Sequence, residues 1–315
     1  MTRGSAPGKV ILFGEHAVVY GRPAIAVPVT QVRAEVSVEQ AREHPGVTIL
    51  AQDIGRVIDV SRAPPDEPLS LTVRNTLART GIGLQEVSLD LIVHSTIPVA
   101  SGLGSGAAVS TAIVRALCAH LGQSLDPVDI SDIVYETEQI YHGMPSGIDN
   151  TVVAFERAVY FCRGKPTETF AVERSFPLAI ADTGVSSPTK IAVGDVRAAW
   201  KKAPERYEAI FDQIGKLTSA ARRAMQQGDI DDLGPLMDEN HSLLRQLDVS
   251  SPELEALIAA AKEQGAGGAK LCGGGRGGNM IALIEPGDMQ QIKRALLAAG
   301  AKRVILTQVG GTHGS

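Results

Sequence analysis

A glycine-rich turn between a strand-like run and a helix-like run constrains this chain more than any other feature. Residues 101–108 read SGLGSGAA, with glycines at 102, 104 and 106. Glycine adopts positive φ freely and lets backbone N–H groups approach a ligand closely. The N-terminus of the helix predicted to follow adds partial positive charge. The segment therefore predicts an anion site, most often one for phosphate.

Several phosphate-loop patterns compete for this turn, together with a plain strand-to-helix turn that binds nothing. The Walker pattern needs Lys followed by Ser or Thr, and Gly8-Lys9 is followed by Val10. The protein-kinase glycine loop needs HRD and DFG motifs, which the sequence lacks. A nicotinamide dinucleotide site matches only the loose G-x-G-x-x-A form, at residues 102–107. A plain turn needs fewer glycines than this segment has.

The composition is that of a globular protein with a substantial core. The chain has 315 residues, of which 44% are hydrophobic and 21% charged, and its net charge is −5. This length predicts one large domain or two ordinary ones. The sequence has no basic stripe for nucleic acid and no apolar run of membrane-spanning length. Three widely spaced cysteines favour a reducing compartment, so we expect a cytoplasmic protein.

Hydrophobic periodicity predicts an α+β chain with a boundary near residue 170, which gives domains 1–170 and 171–315. Strands are predicted at 10–13, 24–29, 32–38, 47–50, 57–60, 89–94, 152–155, 158–162, 178–182, 280–284 and 304–308. Helices are predicted at 69–80, from 105 onward, at 126–141, through most of 183–264 and at 288–298. The predicted helix at 126–141 has Asp126 as N-cap and Pro127 in its first turn.

The segment PGKVILFGEH at 7–16 places three chemically useful side chains on and after one strand. Lys9 lies on the predicted strand, and a fixed cation near reacting phosphates stabilises the charge being transferred. Glu15 and His16 follow the glycine that ends the strand, and both can orient a polar substrate. The alternative is a salt-bridged strand end with a capping histidine.

Glu138 and the loop after it form a second candidate group. Glu138 lies at the edge of the apolar face of the predicted helix, so its carboxylate is either exposed at the rim or an inward-pointing metal ligand. The loop 142–150 reaches Asp149, which beside a nucleotide can act as base for a substrate hydroxyl. Equally, Asp149 can cap the next element through an Asx turn.

A third candidate is the glycine run at 273–278, which Arg276 interrupts and which a predicted strand follows. Such a run lets backbone come close to a phosphate or to another loop. A flexible linker is the alternative interpretation.

The order of these segments resembles the GHMP kinases of small molecules, and in particular the branch that phosphorylates mevalonate. The resemblance covers nearly the whole chain and is carried by PGKVILFGEHAVVYG (7–21), IPVASGLGSGAAVS (97–110), HGMPSGIDN (142–150), ADTGVSSPTK (181–190) and AKLCGGGRGGNMIAL (269–283). It implies a two-domain α+β fold. The N-terminal domain would be α/β, like domain 2 of ribosomal protein S5, the C-terminal domain ferredoxin-like α+β, and the active site between them.

The resemblance also implies an activity: transfer of the ATP γ-phosphoryl group to the 5-hydroxyl of mevalonate. Its partners are ATP with Mg²⁺ and a small-molecule substrate, with neither nucleic acid nor membrane involved, and a homodimer is compatible with the helical second half. The alternatives are a related kinase, for phosphomevalonate or for the 3-hydroxyl of mevalonate, and a sensor of the same fold that holds ATP without turnover.

Individual roles follow from the same resemblance. It implies that Asp149 and Lys9 are catalytic, that Glu138 and Ser105 hold the metal, and that Glu15, His16 and Ser146 bind substrate. The residues expected around the ATP phosphates are Ser101, Gly102, Leu103, Gly104, Ser105, Gly106 and Ala107. Those of the third glycine motif are Gly273, Gly274, Gly275 and Arg276.

Two positions depart from the family pattern. Many relatives have a serine that binds Mg²⁺ where this chain has Gly106, and we therefore assign that role to Ser105. Relatives often have an uninterrupted glycine run where this chain has Arg276. That guanidinium is expected to face a phosphate, the substrate carboxylate or solvent.

Overall fold

The computed structural model describes residues 1–41, 45–98, 102–142, 145–186 and 189–310. Contacts divide these residues into two compact units, each built from separate stretches of chain. Unit 1 contains 1–9, 32–98 and 103–156, and unit 2 contains 10–31, 102 and 157–310. The predicted domain boundary near residue 170 stays a prediction. The two compact units do not follow a single cut in the sequence, because unit 2 also includes the early segment 10–31.

Eleven strands and nine helices lie within the described ranges. The strands are β1 (Thr2–Phe13), β2 (Ala24–Gln40), β3 (Gly46–Ala51), β4 (Arg56–Asp59), β5 (Ser88–Ser95), β6 (Ala158–Phe161), β7 (Glu168–Phe170), β8 (Phe176–Asp182), β9 (Gly268–Cys272), β10 (Asn279–Leu283) and β11 (Arg303–Val309). The helices are α1 (Pro68–Thr80), α2 (Ser105–His120), α3 (Pro127–His142), α4 (Ile148–Phe155), α5 (Thr189–Lys202), α6 (Pro204–Gln227), α7 (Leu233–Gln246), α8 (Pro252–Glu263) and α9 (Met289–Ala298).

Unit 1 packs helices on strands of a mixed sheet that follow the order β4-β3-β5-β2. The predicted hairpin forms as β3 and β4, and β3 also pairs in parallel with β5. Alternate residues of β5 are buried, as expected for a strand with one face on the core. Helices α1, α2 and α3 pack against one another and share a buried hydroxyl cluster. In that cluster the Thr72 hydroxyl lies 2.8 Å from that of Thr137 and 3.2 Å from that of Ser110.

The segment 152–155 was predicted to be a strand, and this is wrong because it belongs to helix α4. Gly147 at φ 90° precedes the helix, and the Thr151 hydroxyl donates to the Gly147 carbonyl oxygen at 2.7 Å. Because α4 packs against both α2 and α3, nearly all its residues are buried and no helical alternation remains in the sequence. Asp149 consequently lies in the first turn of a helix rather than on a loop.

The two strands predicted at 24–29 and 32–38 are one continuous strand, β2. Its first residues pair with β6 at 24–26, and its last pair with β5 at 34–40. Pro28 lies between these two paired stretches, where it removes no hydrogen bond from either ladder. The proline therefore does not end the strand.

Unit 2 is built around a four-stranded antiparallel sheet of order β11-β8-β10-β9. Every residue of β9 and β10 is buried, and α7, α8 and α9 pack on the sheet. The predicted helical stretch followed by strand, helix and strand is confirmed. The short strand β7 was not predicted.

No helix in the described ranges is both long and apolar enough to cross a membrane. The cytoplasmic location and the homodimer stay predictions.

The contact of α7 with β9 depends on a glycine at position 234. A Cβ built on Gly234 would collide with the carbonyl oxygen of Gly267. We expect Gly234→Ala to lower the free energy of unfolding by about 1–3 kcal/mol, the usual cost of overpacking. The matched control is Gly194→Ala in α5, where a Cβ meets nothing within 4 Å. There we expect a gain of about 0.5–1 kcal/mol from lower chain entropy. Urea unfolding measures both, and equal stability of the two variants would contradict the packing argument.

Candidate active site

Lys9 and Asp149 form an ion pair inside unit 1, with the Lys9 Nζ 3.1 Å from the Asp149 Oδ1. Lys9 lies on β1, and its backbone N–H donates to the Leu103 carbonyl oxygen at 2.9 Å. Asp149 lies in the first turn of α4, where the helix dipole favours negative charge. The Lys9 side chain is only 7% exposed and that of Asp149 is 30% exposed. The structure thus brings the predicted catalytic pair together and leaves its carboxylate within reach of solvent.

The glycine-rich turn lies directly against Lys9. Gly104 has φ 73° and is the N-cap of α2, and no side chain caps that helix. A Cβ at Gly104 would lie 2.8 Å from the Lys9 Cγ, so a larger residue would displace the lysine. Leu103 and Ala107 are buried, and their side chains belong to the core. The N-terminus of α2 and the Lys9 ammonium together provide the donors and the positive charge that a phosphate needs.

Glu138 points inward on α3 and is not exposed at its rim, and its role as a metal ligand stays a prediction. The residue is only 3% exposed. The pKa of its carboxyl is raised to about 7, chiefly by burial and next by the charge of Asp149, while the charge of Lys9 acts to lower it. Glu138, Asp149 and Lys9 therefore form one electrostatic group.

Two further predicted residues lie in unit 1. Ser105 is half-buried in the first turn of α2. Ser146 is exposed, and its hydroxyl accepts the N–H of Ile148 at 3.3 Å, which shapes the entry into α4. Ser101 lies outside the described residues. The roles assigned to these serines stay predictions.

In unit 2, Glu15 forms an ion pair with Lys270 of β9 that is closed to solvent. Both side chains are 0% exposed, and the Lys270 ammonium also donates to the Leu271 carbonyl oxygen at 2.8 Å. Sequence reasoning predicted Glu15 and missed Lys270. A signal was present, because lysine is almost never fully buried without a partner and this one lies in an apolar strand.

His16 has a defined protonation state. It has φ 60° and is 5% exposed, and its Nε2 lies 3.0 Å from the Gly274 carbonyl oxygen. Because a carbonyl oxygen only accepts, Nε2 carries the hydrogen. The pKa of the imidazole is lowered to about 4, chiefly by burial and with a smaller contribution from the charge of Arg276, while the hydrogen bond to Gly274 acts to raise it. At neutral pH the ring is uncharged, and Nδ1 carries a lone pair.

The third glycine motif packs against other loops of unit 2. A Cβ at Gly275 would collide with the Val249 carbonyl oxygen, and one at Gly277 would lie 2.6 Å from that of Val185. Arg276 forms an ion pair with Asp195, and its side chain is 30% exposed. Its Nε also donates to the Asp248 carbonyl oxygen at 3.1 Å. Gly275 and Gly277 thus serve close packing, and the loop presents the Gly274 carbonyl to His16.

Comparison with known proteins gives a consistent result along the chain. The family profile for the GHMP kinases N terminal domain matches residues 70–157, and that for GHMP kinases C terminal matches 221–302. The mevalonate kinase of Pyrococcus furiosus is 35% identical, covering 96% of this chain and 94% of that protein. The mevalonate kinase of Pyrococcus horikoshii is 37% identical, covering 94% and 92%.

Among solved structures, L. major mevalonate kinase in complex with R-mevalonate superposes with a TM-score of 0.85. Its sequence is 28% identical, and the match covers 100% of this chain and 97% of that one.

The buried neutral state of His16 makes stability depend on pH. Because its pKa is lowered in the folded protein, folding favours the neutral ring. That contribution is complete above the unfolded pKa of 6.5 and is lost as pH falls toward about 4. We expect the wild type to lose on the order of 3 kcal/mol more between these pH values than His16→Gln, which keeps a donor for Gly274. Urea unfolding at several pH values measures this difference.

The control is again Gly194→Ala, which changes no titratable group. It should retain the pH dependence of the wild type. Parallel curves for the wild type and His16→Gln would show that His16 is not held neutral.

Proposed function

We propose that this chain, which belongs to the GHMP kinase family and within it to the mevalonate kinases, phosphorylates the 5-hydroxyl of mevalonate with Lys9 and Asp149 as its reacting pair. The chain is an ATP-dependent small-molecule kinase. The observation that supports the assignment of the pair is the 3.1 Å contact between these side chains beside the glycine-rich N-terminus of α2.

The ATP phosphates are proposed to lie at the turn 102–106. Backbone N–H groups of the first turn of α2 point at them, and the Lys9 ammonium adds a fixed positive charge. Because Gly104 leaves room for the stem of Lys9, that charge stays close to the turn. The turn and the Lys9 ammonium would thus bind the ATP phosphates and stabilise the phosphoryl group during transfer.

The residues present are compatible with Mg²⁺. The ion prefers oxygen ligands and is usually bound by one or two carboxylates together with substrate phosphates and water. Glu138 would supply a carboxylate and Ser105 a hydroxyl. Burial and the negative charge of Asp149 raise the pKa of Glu138. A divalent cation bound there would offset the repulsion between these two carboxylates. When bound, the ion neutralises charge on the phosphates.

Asp149 is proposed to orient the 5-hydroxyl and accept its proton. Phosphoryl transfer passes through a loose transition state, so positioning and charge stabilisation outweigh strong base catalysis. The ion pair with Lys9 holds the carboxylate in place, and the same ammonium is available to the phosphoryl group. One lysine thus orients the acceptor side and stabilises the donor side.

His16, Glu15 and Ser146 are proposed to bind the substrate. With Nε2 donating to Gly274, the lone pair on His16 Nδ1 can only accept a hydrogen bond. A neutral acceptor suits a hydroxyl of the substrate and not its carboxylate. Glu15, held by Lys270, fixes the backbone next to His16, and the glycine loop 273–275 supports the ring.

The acceptor hydroxyl can be tested directly. Purified protein is incubated with ATP, Mg²⁺ and each of mevalonate, phosphomevalonate, galactose and homoserine, and ADP release is followed by a coupled assay. We expect release with mevalonate and a product whose phosphorus-coupled carbon in the NMR spectrum is C5. A product phosphorylated at C3, or a preference for phosphomevalonate, would support the alternative kinases instead. No ADP release with any acceptor would support an ATP sensor.

Asp149→Asn keeps the shape of the side chain and removes its charge and basicity. We expect turnover to fall by several decades while ATP affinity changes little, because Asp149 acts on the acceptor hydroxyl. Lys9→Met is expected to lose roughly two to four decades in turnover, the scale of one preorganised electrostatic group. Steady-state kinetics and nucleotide titration measure these changes.

The matched control is Asp129→Asn. Asp129 also lies in the first turn of a helix of unit 1 and forms an ion pair with an arginine, Arg79. This variant should keep near-native turnover. Near-native turnover of Asp149→Asn would refute the role of that residue.

A further inference from the structure

The two elements that carry Lys9 and Asp149 are tied together a second time, away from the ion pair. Arg115 of α2 donates from Nη1 to the Ser5 carbonyl oxygen of β1 at 2.7 Å. From Nη2 it donates to the Ala154 carbonyl oxygen, near the end of α4, at 2.9 Å. It also forms an ion pair with Glu156, the residue that ends α4. One guanidinium therefore joins β1 to α4.

Arg33 of β2 completes this set of contacts, which we call the Arg115 clasp (Ser5, Arg33, Arg115, Ala154 and Glu156). Both terminal nitrogens of Arg33 lie 3.3 Å from the Glu156 carboxylate, and Nη2 donates to the Ser5 hydroxyl at 3.1 Å. The three charged side chains are about one-quarter exposed. Partial burial strengthens such charge-assisted contacts relative to a fully exposed pair.

Glu156 shows that the clasp holds the end of α4 in a costly conformation. Its φ is 49°, the left-handed region that non-glycine residues adopt at a cost of about 1–2 kcal/mol. Its N–H closes the helix on the Val152 carbonyl oxygen at 3.0 Å. Such a conformation persists only where surrounding contacts impose it, and here the two arginines do so.

The clasp and the catalytic pair involve the same two elements, β1 and α4, at different positions along each. Lys9 follows Ser5 by four strand residues, which is about 13 Å. Asp149 precedes Ala154 by five helical residues, which is about 8 Å. Helix α4 has only eight residues and packs on α2 and α3, so we expect it to shift as one piece. A displacement at the clasp therefore reaches Asp149.

We propose that Arg115 is a positioning residue for phosphoryl transfer, because it fixes α4 on β1 and thereby sets the Lys9–Asp149 contact. This inference rests on the proposed function of that pair. Arginine is required because its planar fork serves three acceptors at once, whereas a lysine ammonium acts as a single point charge. Arg115 touches neither ATP nor mevalonate in this scheme, so its loss should affect turnover and not binding.

The test uses Arg115→Lys in the full-length protein. We expect kcat to fall by about 10- to 100-fold, the scale of an error of about 1 Å in placing a reacting group. The KM values for ATP and mevalonate should stay unchanged. The control is Arg74→Lys in α1, since Arg74 also donates to backbone carbonyls of unit 1, those of Val60 at 2.6 Å and Ala63 at 2.8 Å. It should keep its kcat. Urea unfolding shows that both variants are folded.

A second measurement separates positioning from a general structural defect. The effect of Arg115→Lys on the rate of the chemical step is measured again in the Asp149→Asn background, by single-turnover transfer from labelled ATP. If Arg115 acts through Asp149, the loss should nearly vanish there, because residues that act as a unit are not additive. If the two losses multiply, Arg115 has only a structural role and the inference is overturned.

The outcomes also distinguish this inference from the proposed function. Near-native turnover of Asp149→Asn overturns both. An impaired Asp149→Asn with an uncoupled Arg115→Lys overturns only the positioning role. Should Arg115→Lys fail to fold, Glu156→Gln replaces it, because it keeps the shape of the side chain and removes the charge that both arginines hold. The same loss of kcat and the same coupling to Asp149 are then expected, and their absence overturns the inference.

Discussion

The ion pair between Lys9 and Asp149 is the interaction on which the candidate site in unit 1 depends. It joins β1 to the short helix α4, which comes much later in the chain, with the Lys9 Nζ 3.1 Å from the Asp149 Oδ1. Three local conditions make it possible. Lys9 is seated by the Leu103 carbonyl, Gly104 leaves space for its stem, and Gly147 starts α4 so that Asp149 falls in its first turn.

Unit 2 contains a second ion pair whose physical character differs. Glu15 and Lys270 are both fully shielded from solvent, whereas the Asp149 carboxylate is partly exposed. A buried ion pair is weak evidence of net stabilisation. Removing one partner nevertheless destabilises the fold, because it leaves an uncompensated charge in the low-dielectric interior. Such a pair is suited to holding a turn in one conformation. A pair with one open side can exchange partners with a ligand, which is what a reaction requires.

The sequence predicted those elements whose signal is local. The helix α3 begins where Asp126 and Pro127 indicate, and Asp126 accepts the N–H of Asp129 at 2.9 Å. Helix α4 was missed because burial on all sides removes the periodicity by which a helix is recognised. The inward orientation of Glu138 depends on which helices surround α3. Lys270 and Arg115 find their partners across long stretches of chain, and no local pattern encodes such contacts.

The two glycine-rich segments look alike in sequence but arise from different physical requirements. At the first, nothing lies within 4 Å of a Cβ on Gly102, so its positive φ is the constraint and its backbone faces open space. At the second, a Cβ on Gly275 would collide with a carbonyl of a neighbouring loop. Gly102 therefore leaves space beside the first segment, whereas Gly275 is required by close packing in the second. The second segment contributes to the site through the Gly274 carbonyl, which accepts the hydrogen of His16 Nε2. The ring can therefore recognise only a hydrogen-bond donor at Nδ1.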